Sequence, residues 1–234
     1  MAKHIGIVAC SAEGAALCYR TICLEGAAMM GKHDHPEVSM HTHSLHRYME
    51  CIYRDDWQGV GELMLDSASR LAKSGADFLI CPDNTIHQGL DLVRERSPLP
   101  WLHIAEEVAA EASRSGFKHV GVTGTRYLME GSVYPPKLEA KGIKQTIPKL
   151  AQRVKINSII FDELVNGRFL PESLKYFQEV ISDLKNSGCD TVALSCTEIP
   201  LLVSDATSPL PTLDSTRLLA RAALRRAVEG RTNA

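Results

Sequence analysis

"GADFLICPDNT", starting at Gly75, and "GCDTVALSCTE", starting at Gly188, are two versions of one phrase that differ where chemistry would be done. Eight residues after its glycine, the first carries Asp83 and the second Cys196. A carboxylate and a thiol are both proton-transfer groups. Each is followed by side chains that can donate hydrogen bonds, Asn84 and Thr85 after Asp83 and Thr197 after Cys196. If each cluster opens a helix, its backbone amides can hold a carboxylate. The same dipole would favour thiolate at Cys196. Taken singly, both residues have plainer readings. Asp is among the best helix N-caps, and a buried cysteine usually acts as a small hydrophobe. The repetition of the position favours chemistry at both.

The elements that must hold these residues repeat as well. "KHIGIVAC" from Lys3 returns as "KHVGVTGT" from Lys118, an offset of 115, and the glycine pair is offset by 113. Two matched pairs at nearly one offset indicate duplication, with a period far above the roughly 20–50 residues of a solenoid unit. "HIGIVA", "DFLICP", "HVGVTG" and "TVALSC" are short, apolar and rich in β-branched residues, as buried strands are. Helical periodicity runs through 57–74, 106–115 and 171–187, and Gly75, Gly116 and Gly188 follow as stops. The expected fold is α/β, with two pseudo-symmetric lobes that each carry a parallel sheet flanked by helices. The first lobe is expected at 1–100, completed by a C-terminal helix at 207–234, and the second at 101–206. Ligands of such sheets gather beyond the carboxyl ends of the strands, where Asp83 and Cys196 fall.

With 234 residues and a formal charge of −2, the chain has no basic excess to drive nucleic-acid binding. No apolar run reaches the roughly 18 residues of a membrane span. "MAKH" leads straight into a strand without a signal-type stretch, so a cytoplasmic protein is expected. Seven cysteines without a C-x-x-C pair are expected to be reduced thiols. His33, His35, His41, His43 and His46 cluster, and His41 and His43 would share a strand face. No acidic or cysteine partner completes a ligand set at suitable spacing, so no metal site is expected. Ser11 and Thr125 end equivalent first strands, where a hydroxyl either reaches a ligand or forms a turn. Glu198 is either a second acid/base or a dipole-stabilising first-turn carboxylate. His87 reads as a first-turn helix residue.

"GCDTVALSCTEIPLLV" resembles the signature of the aspartate/glutamate racemase superfamily, which includes aspartate, glutamate and hydantoin racemases, maleate isomerases and arylmalonate decarboxylase. The likeness covers nearly the whole chain. "GTRYLMEGSVY" at 124–134 resembles the segment that opens the second lobe, "DELVNGRF" at 162–169 a substrate-facing helix, and "PTLDST" at 211–216 the closing turn. The resemblance implies an active site in the cleft between the lobes, a small carboxylate or amino-acid substrate, no metal, no pyridoxal phosphate, and a homodimer. It also matches Arg47 and Arg168 to positions where a basic residue meets the distal substrate carboxylate, with Arg168 in place of a common lysine. A guanidinium can grip a carboxylate bidentately. The chain departs from the family in three places. "PDNT" puts Asp83 where family racemases usually carry a cysteine, and Cys81 lies two residues too early to replace it. The first loop reads "ACSAEG" rather than glycine-rich, and Leu128 stands where threonine is frequent.

A racemase of this type needs one group to take the α-proton and another to return one to the opposite face, with donors such as Asn84, Thr85 and Thr197 holding the carbanion's carboxylate. Ordinary pKa values of about 3.9 for Asp and about 8.5 for Cys favour carboxylate plus thiol by roughly 6 kcal/mol. The expected resting state is therefore Asp83 as base and Cys196 as acid. The inequality keeps other readings open. A decarboxylase or lyase needs a single proton donor, which Cys196 alone would supply. A carboxylate-binding protein that has lost one catalytic group would keep the same residues.

Overall fold

Parallel strands covered on both faces are apolar without interruption, and Ile5–Ala9, Phe78–Ile80 and Thr191–Leu194 are buried at every position. In the computed structural model, which describes residues 2–229, the chain divides into two units. Residues up to Ile104 join those from Thr216 onward, and Ala105–Ser215 form the second unit. The first unit begins with β1 (Ile5–Ala9), α1 (Ala12–Met30), β2 (Val38–Thr42), α2 (Leu45–Tyr53), α3 (Trp57–Lys73), β3 (Phe78–Ile80) and α4 (His87–Val93). Helix α5 (Ile104–Arg114) leads to β4 (His119–Thr123), α6 (Arg126–Met129), α7 (Pro135–Glu139), β5 (Lys144–Thr146), α8 (Leu150–Asp162), α9 (Pro171–Asn186), β6 (Thr191–Leu194) and β7 (Thr212–Asp214). The chain closes with α10 (Ser215–Val228). This helix starts at Ser215 rather than at 207, because Thr212–Asp214 pairs with β6 as a strand. No helix among the described residues is long and apolar enough to cross a membrane.

Both sheets are parallel, ordered β2-β1-β3 and β5-β4-β6-β7. In the first, Trp101 makes a parallel bridge to Leu79, on the side of β3 that corresponds to the β7 side of β6. The repeat extends to register. Ile5 pairs with Phe78, and Val120 pairs with Thr191, which are the residues the two sequence offsets equate. It extends to side chains at the opposite ends of the strands too. Asp77 accepts from the His4 amide at 2.7 Å, and Asp190 from the His119 amide at 3.2 Å. The rings of His4 and His119 bond Ser39 and Thr146 on the neighbouring strand at 2.9 and 2.7 Å. These bonds pin the start of each central strand to its neighbours, and so set how far the carboxyl ends project.

The first core packs β1 and β3 against Cys18 and Ile22 of α1 and Leu219, Ala223 and Leu224 of α10. In the second, α9 lays Phe177, Val180, Ile181 and Leu184, at helical spacing, into a cluster with Val192 and Leu194 of β6. Pro171 opens that helix and Gly188, at φ 91°, ends it, as a left-handed cap requires.

The placement of the Asp83 turn depends on α3 and α4 touching backbone to backbone. A Cβ on Gly89 would stand 2.8 Å from the Gly61 amide nitrogen and 2.9 Å from the Trp57 carbonyl oxygen. Backbone atoms cannot rotate away. Gly89→Ala is therefore expected to cost about 1–3 kcal/mol by overpacking despite the better helix propensity of alanine, seen as a lower Tm in thermal unfolding. An unchanged or raised Tm would show that the helices separate freely.

Candidate active site

β3 ends at Ile80, and the chain turns through Cys81, Pro82 and Asp83 into Asn84–Ile86 before α4 begins. Asp83 is half-buried, while Asn84 and Thr85 are buried beside it. Asp83 Oδ1 accepts from the Ile86 amide at 3.2 Å, three residues on, a cap-like bond that closes the turn leading into α4, whose own N-cap residue is Ile86. The carboxylate therefore has a structural duty as well as a position at the strand end. Cys81 is fully buried. Burial raises its thiol well above the ordinary range, and the neighbouring Asp83 charge adds to this. Tyr48, buried on α2, also has its pKa raised, first by burial and then by the Cys10 and Cys81 thiols, with Asp83 contributing. The Tyr48 phenol and the Cys81 thiol, both pushed toward their protonated forms, thus act electrostatically with the Asp83 carboxylate.

His87, the first residue of α4, is fully buried. Its Nδ1 lies 2.6 Å from the Asp83 carbonyl oxygen, and its Nε2 accepts from the Ile104 amide at 3.3 Å. Burial, and next the His103 ring, hold its pKa well below the ordinary value, so the imidazole is neutral.

Ser11 and Thr125 occupy equivalent places, and both are N-caps. Ser11 Oγ accepts from the Gly14 amide at 3.3 Å, and Thr125 Oγ1 from the Leu128 amide at 3.2 Å. Arg47 is exposed on α2 and donates from Nη1 to His43 Nδ1 at 2.8 Å. The other nitrogen of His43, Nε2, lies 2.9 Å from Asp66 Oδ2 of α3, off the ideal hydrogen-bond line. An arginine can donate to Nδ1 only when that nitrogen carries a lone pair, so the proton of His43 sits on Nε2 beside the carboxylate. Asp66 also holds Arg70 at 2.9 Å. His41 bonds Ser67 at 2.9 Å. His41 and His43 are thereby committed to side chains of α2 and α3. Among the described residues no three His, Cys, Asp or Glu side chains gather as metal ligands would.

In the second unit β6 ends at Leu194, and Ser195, Cys196, Thr197 and Glu198 follow. Gly124, just after β4, allows this segment to pass close by, since a Cβ there would meet the Ser195 carbonyl oxygen at 2.8 Å. The Ser195 amide bonds the Thr123 carbonyl oxygen at 2.9 Å, and Ser215 Oγ bonds that of Leu194, also at 2.9 Å. Tyr134 is buried beside them. Burial raises its pKa, opposed by hydrogen bonds to Ser195 and Ser215.

No α-helix starts at Cys196. The turn that follows is a single 3₁₀ turn, Ile199–Leu201, containing Pro200. The expected helix dipole is replaced by a side chain. Cys196, 8% exposed, donates from Sγ to Glu198 Oε2 at 3.0 Å, and Thr197 Oγ1 donates to the same oxygen at 3.2 Å. Glu198 is only 2% exposed, and its Oε1 is buried without a hydrogen-bond partner. Such burial of a carboxylate is costly and tends to persist where it serves function. Arg168 is exposed in the turn after Gly167, which has φ 70°, and its amide bonds the Glu163 carbonyl oxygen at 3.0 Å.

Each unit therefore assembles its own repeated cluster, Asp83 with Asn84, Thr85 and Tyr48 in one and Cys196 with Thr197 and Glu198 in the other. Sequence reasoning missed Tyr48, Asp66 and Ser215. Tyr48 reads in sequence only as part of a helix face, and Asp66 lies 23 residues from His43.

A sequence model described as "Asp/Glu/Hydantoin racemase" matches residues 7–223. The broad specificity amino-acid racemase RacX of Bacillus subtilis (strain 168) is 25% identical over 166 residues, 71% of each chain. A glutamate racemase of Hydrogenobaculum sp. (strain Y04AAS1) is 28% identical over 148 residues, 62% of this chain but only 55% of that enzyme. Among solved structures, a Yersinia pestis protein named for the Asp/Glu racemases superposes with a TM-score of 0.88 at 30% identity, covering 97% of this chain and 100% of that one. An aspartate racemase homologue from Pyrococcus horikoshii OT3 gives 0.83 at 25%, covering 98% and 100%.

Proposed function

The chain belongs to the Asp/Glu/hydantoin racemase family, and on that premise we propose that it is a cofactor-independent racemase of an acidic amino acid, aspartate or glutamate, with Asp83 and Cys196 as its two proton-transfer groups. The observation that carries this reading is the repeated strand end. Strands in the same register deliver Asp83 and Cys196 at equivalent positions, each with its own hydroxyl or amide neighbours. Asp83 takes the α-proton of one enantiomer, and the Cys196 thiol returns a proton to the other face of the planar carbanion. Asn84, Thr85 and Thr197 hold the substrate's α-carboxylate, Arg47 and Arg168 its distal one, and the Ser11 and Thr125 hydroxyls border it.

For the reverse direction Cys196 must lose its proton first. Glu198 Oε2, at 3.0 Å, is the acceptor within reach, and moving the proton there leaves a thiolate beside a neutral carboxyl rather than two adjacent anions. Glu198→Gln removes that acceptor while keeping size and burial. It is expected to slow α-proton exchange of the enantiomer served by Cys196 by about 10²–10⁴-fold. The enantiomer served by Asp83 should change little. Equal rates for both enantiomers in this variant would reduce Glu198 to a packing residue.

One observation favours a second reading. The Asp83 carboxylate already bonds the Ile86 amide, so a capping duty alone would account for it, with Cys196 as the lone proton donor of a decarboxylase or lyase. Proton NMR of D- and L-amino acids and substituted malonates incubated with the protein in D₂O tests both. Loss of the α-proton signal of aspartate or glutamate without CO₂ release is expected. CO₂ release with deuterium incorporation would establish the lyase, and binding without exchange would leave a carboxylate-binding protein.

A further inference from the structure

Behind Asp83 lies a buried imidazole with both nitrogens committed to backbone. His87 Nδ1 is 2.6 Å from the carbonyl oxygen of Asp83, four residues earlier, and His87 Nε2 is 3.3 Å from the amide of Ile104, the first residue of α5. That amide belongs to the first turn of a helix and has no carbonyl partner within it. A backbone N–H can only donate, so Nε2 must carry a lone pair. A carbonyl can only accept, so Nδ1 must carry the proton. One tautomer of the neutral ring satisfies both. The His103 ring packs edge-on at 4.4 Å, and His103 Nε2 in turn lies 3.4 Å from Asp91 Oδ1. Lysine or arginine could not replace His87 here, because neither offers an acceptor, and a serine hydroxyl is too short to span both partners.

We propose that His87 is a positioning residue for Asp83, the neutral Nδ1–H imidazole that fixes the proton-abstracting turn by tying its carbonyl to the first amide of α5. The proposal rests on the reading of Asp83 as a base. The side-chain bond from Asp83 Oδ1 to Ile86 orients the carboxylate relative to its own turn, whereas the His87 bridge orients the turn relative to Ile104, the last residue of the first unit's leading segment. A shift of about 1 Å in a catalytic group can cost about 10²-fold in rate. A loosened bridge should therefore affect only the proton transfer that Asp83 performs.

Two substitutions separate the halves of the bridge. Asparagine places a donor near Nδ1 and keeps the bond to Asp83, while glutamine places an acceptor near Nε2 and keeps only the bond to Ile104. Solvent-deuterium exchange at the α-carbon is measured for each enantiomer separately, with Asp83→Asn run in parallel to identify the enantiomer that Asp83 serves. His87→Gln is expected to slow exchange of that enantiomer about 10–100-fold through kcat, with KM unchanged and the other enantiomer unaffected. His87→Asn should restore most of the loss. Equal losses for both enantiomers, or no distinction between Gln and Asn, would overturn the positioning role and leave His87 as a fold residue. If Asp83→Asn itself shows no preference between enantiomers, the two-base reading fails instead. Should the glutamine variant not fold, nitrogen NMR of the unaltered protein decides. A proton on Nδ1 and a bare Nε2 at His87 are expected throughout pH 6–8, and the opposite tautomer or a charged ring would overturn the proposal.

Discussion

Cys196→Ser is expected to reduce racemisation in both directions by about 10²–10⁴-fold, with little change in Tm. Serine is the informative replacement because of Glu198. The thiol is one of two donors to a carboxyl group that is only 2% exposed, and deleting it with alanine would leave a buried acceptor short of a partner, at about 1–3 kcal/mol. A hydroxyl keeps that donor and nearly the same volume, so folding is preserved. What it loses is acidity. A serine hydroxyl cannot become an anion at neutral pH as a thiol can, and it gives up its proton far less readily to a carbanion. The proposed mechanism uses Cys196 as acid in one direction and as base in the other, so both should fall together. Steady-state rates from each enantiomer, with Tm as the folding control, measure this. Activity within about threefold of the unaltered protein would remove Cys196 from the mechanism; catalysis of this kind is worth far more than that.

The second large effect belongs to one face only. Asp83→Asn should abolish α-proton removal from the enantiomer that Asp83 serves, again by about 10²–10⁴-fold, because an amide has no basic site for a proton. Exchange of the other enantiomer, through Cys196 and Glu198, should survive. Stability is the control. Asn caps about as well as Asp, and its Oδ1 can still accept from the Ile86 amide, so Tm should hold. The capping reading predicts a nearly unaltered enzyme, and that outcome would move the single-cysteine decarboxylase or lyase to first place. Asp83→Cys makes the converse test. Two thiols start with matched acidities, and the forward and reverse kcat values should become more nearly equal than with a pair whose ordinary pKa values differ by about 4.6 units.

Much of this architecture is written along the chain, because the signals involved are local or repeated. Buried parallel strands need unbroken apolar runs, and glycine is the residue that tolerates the positive φ of 90° and 91° at Gly75 and Gly188. Four strands and the helices between them follow from that. Comparing the two halves then marks Asp83 and Cys196 as one position, and the shared register of Ile5 with Phe78 and Val120 with Thr191 is the structural counterpart of that comparison. A strand too short for a pattern, such as β7, is not legible in this way; pairing with β6 created it and delayed the last helix to Ser215.

Partnership between side chains was decided by tertiary structure. Ser11 and Thr125 could be read as ligand hydroxyls or turn formers because a cap and a ligand-binding hydroxyl stand in the same place, and only the bonds to Gly14 and Leu128 show the capping role. Asp66 reaches His43, and through it Arg47, because α3 packs along the end of β2 and α2. His87 becomes a bridge because α5 starts within reach of its Nε2, 17 residues further on. At Cys196 a proline-containing 3₁₀ turn replaces the helix whose dipole the sequence suggests, and the group beside the thiol is the folded-back carboxylate of Glu198. Hydrogen bonds depend on rotamers and on the approach of distant elements to within about 3 Å. Hydrophobic periodicity specifies which face of an element is buried, and carries no information at that precision.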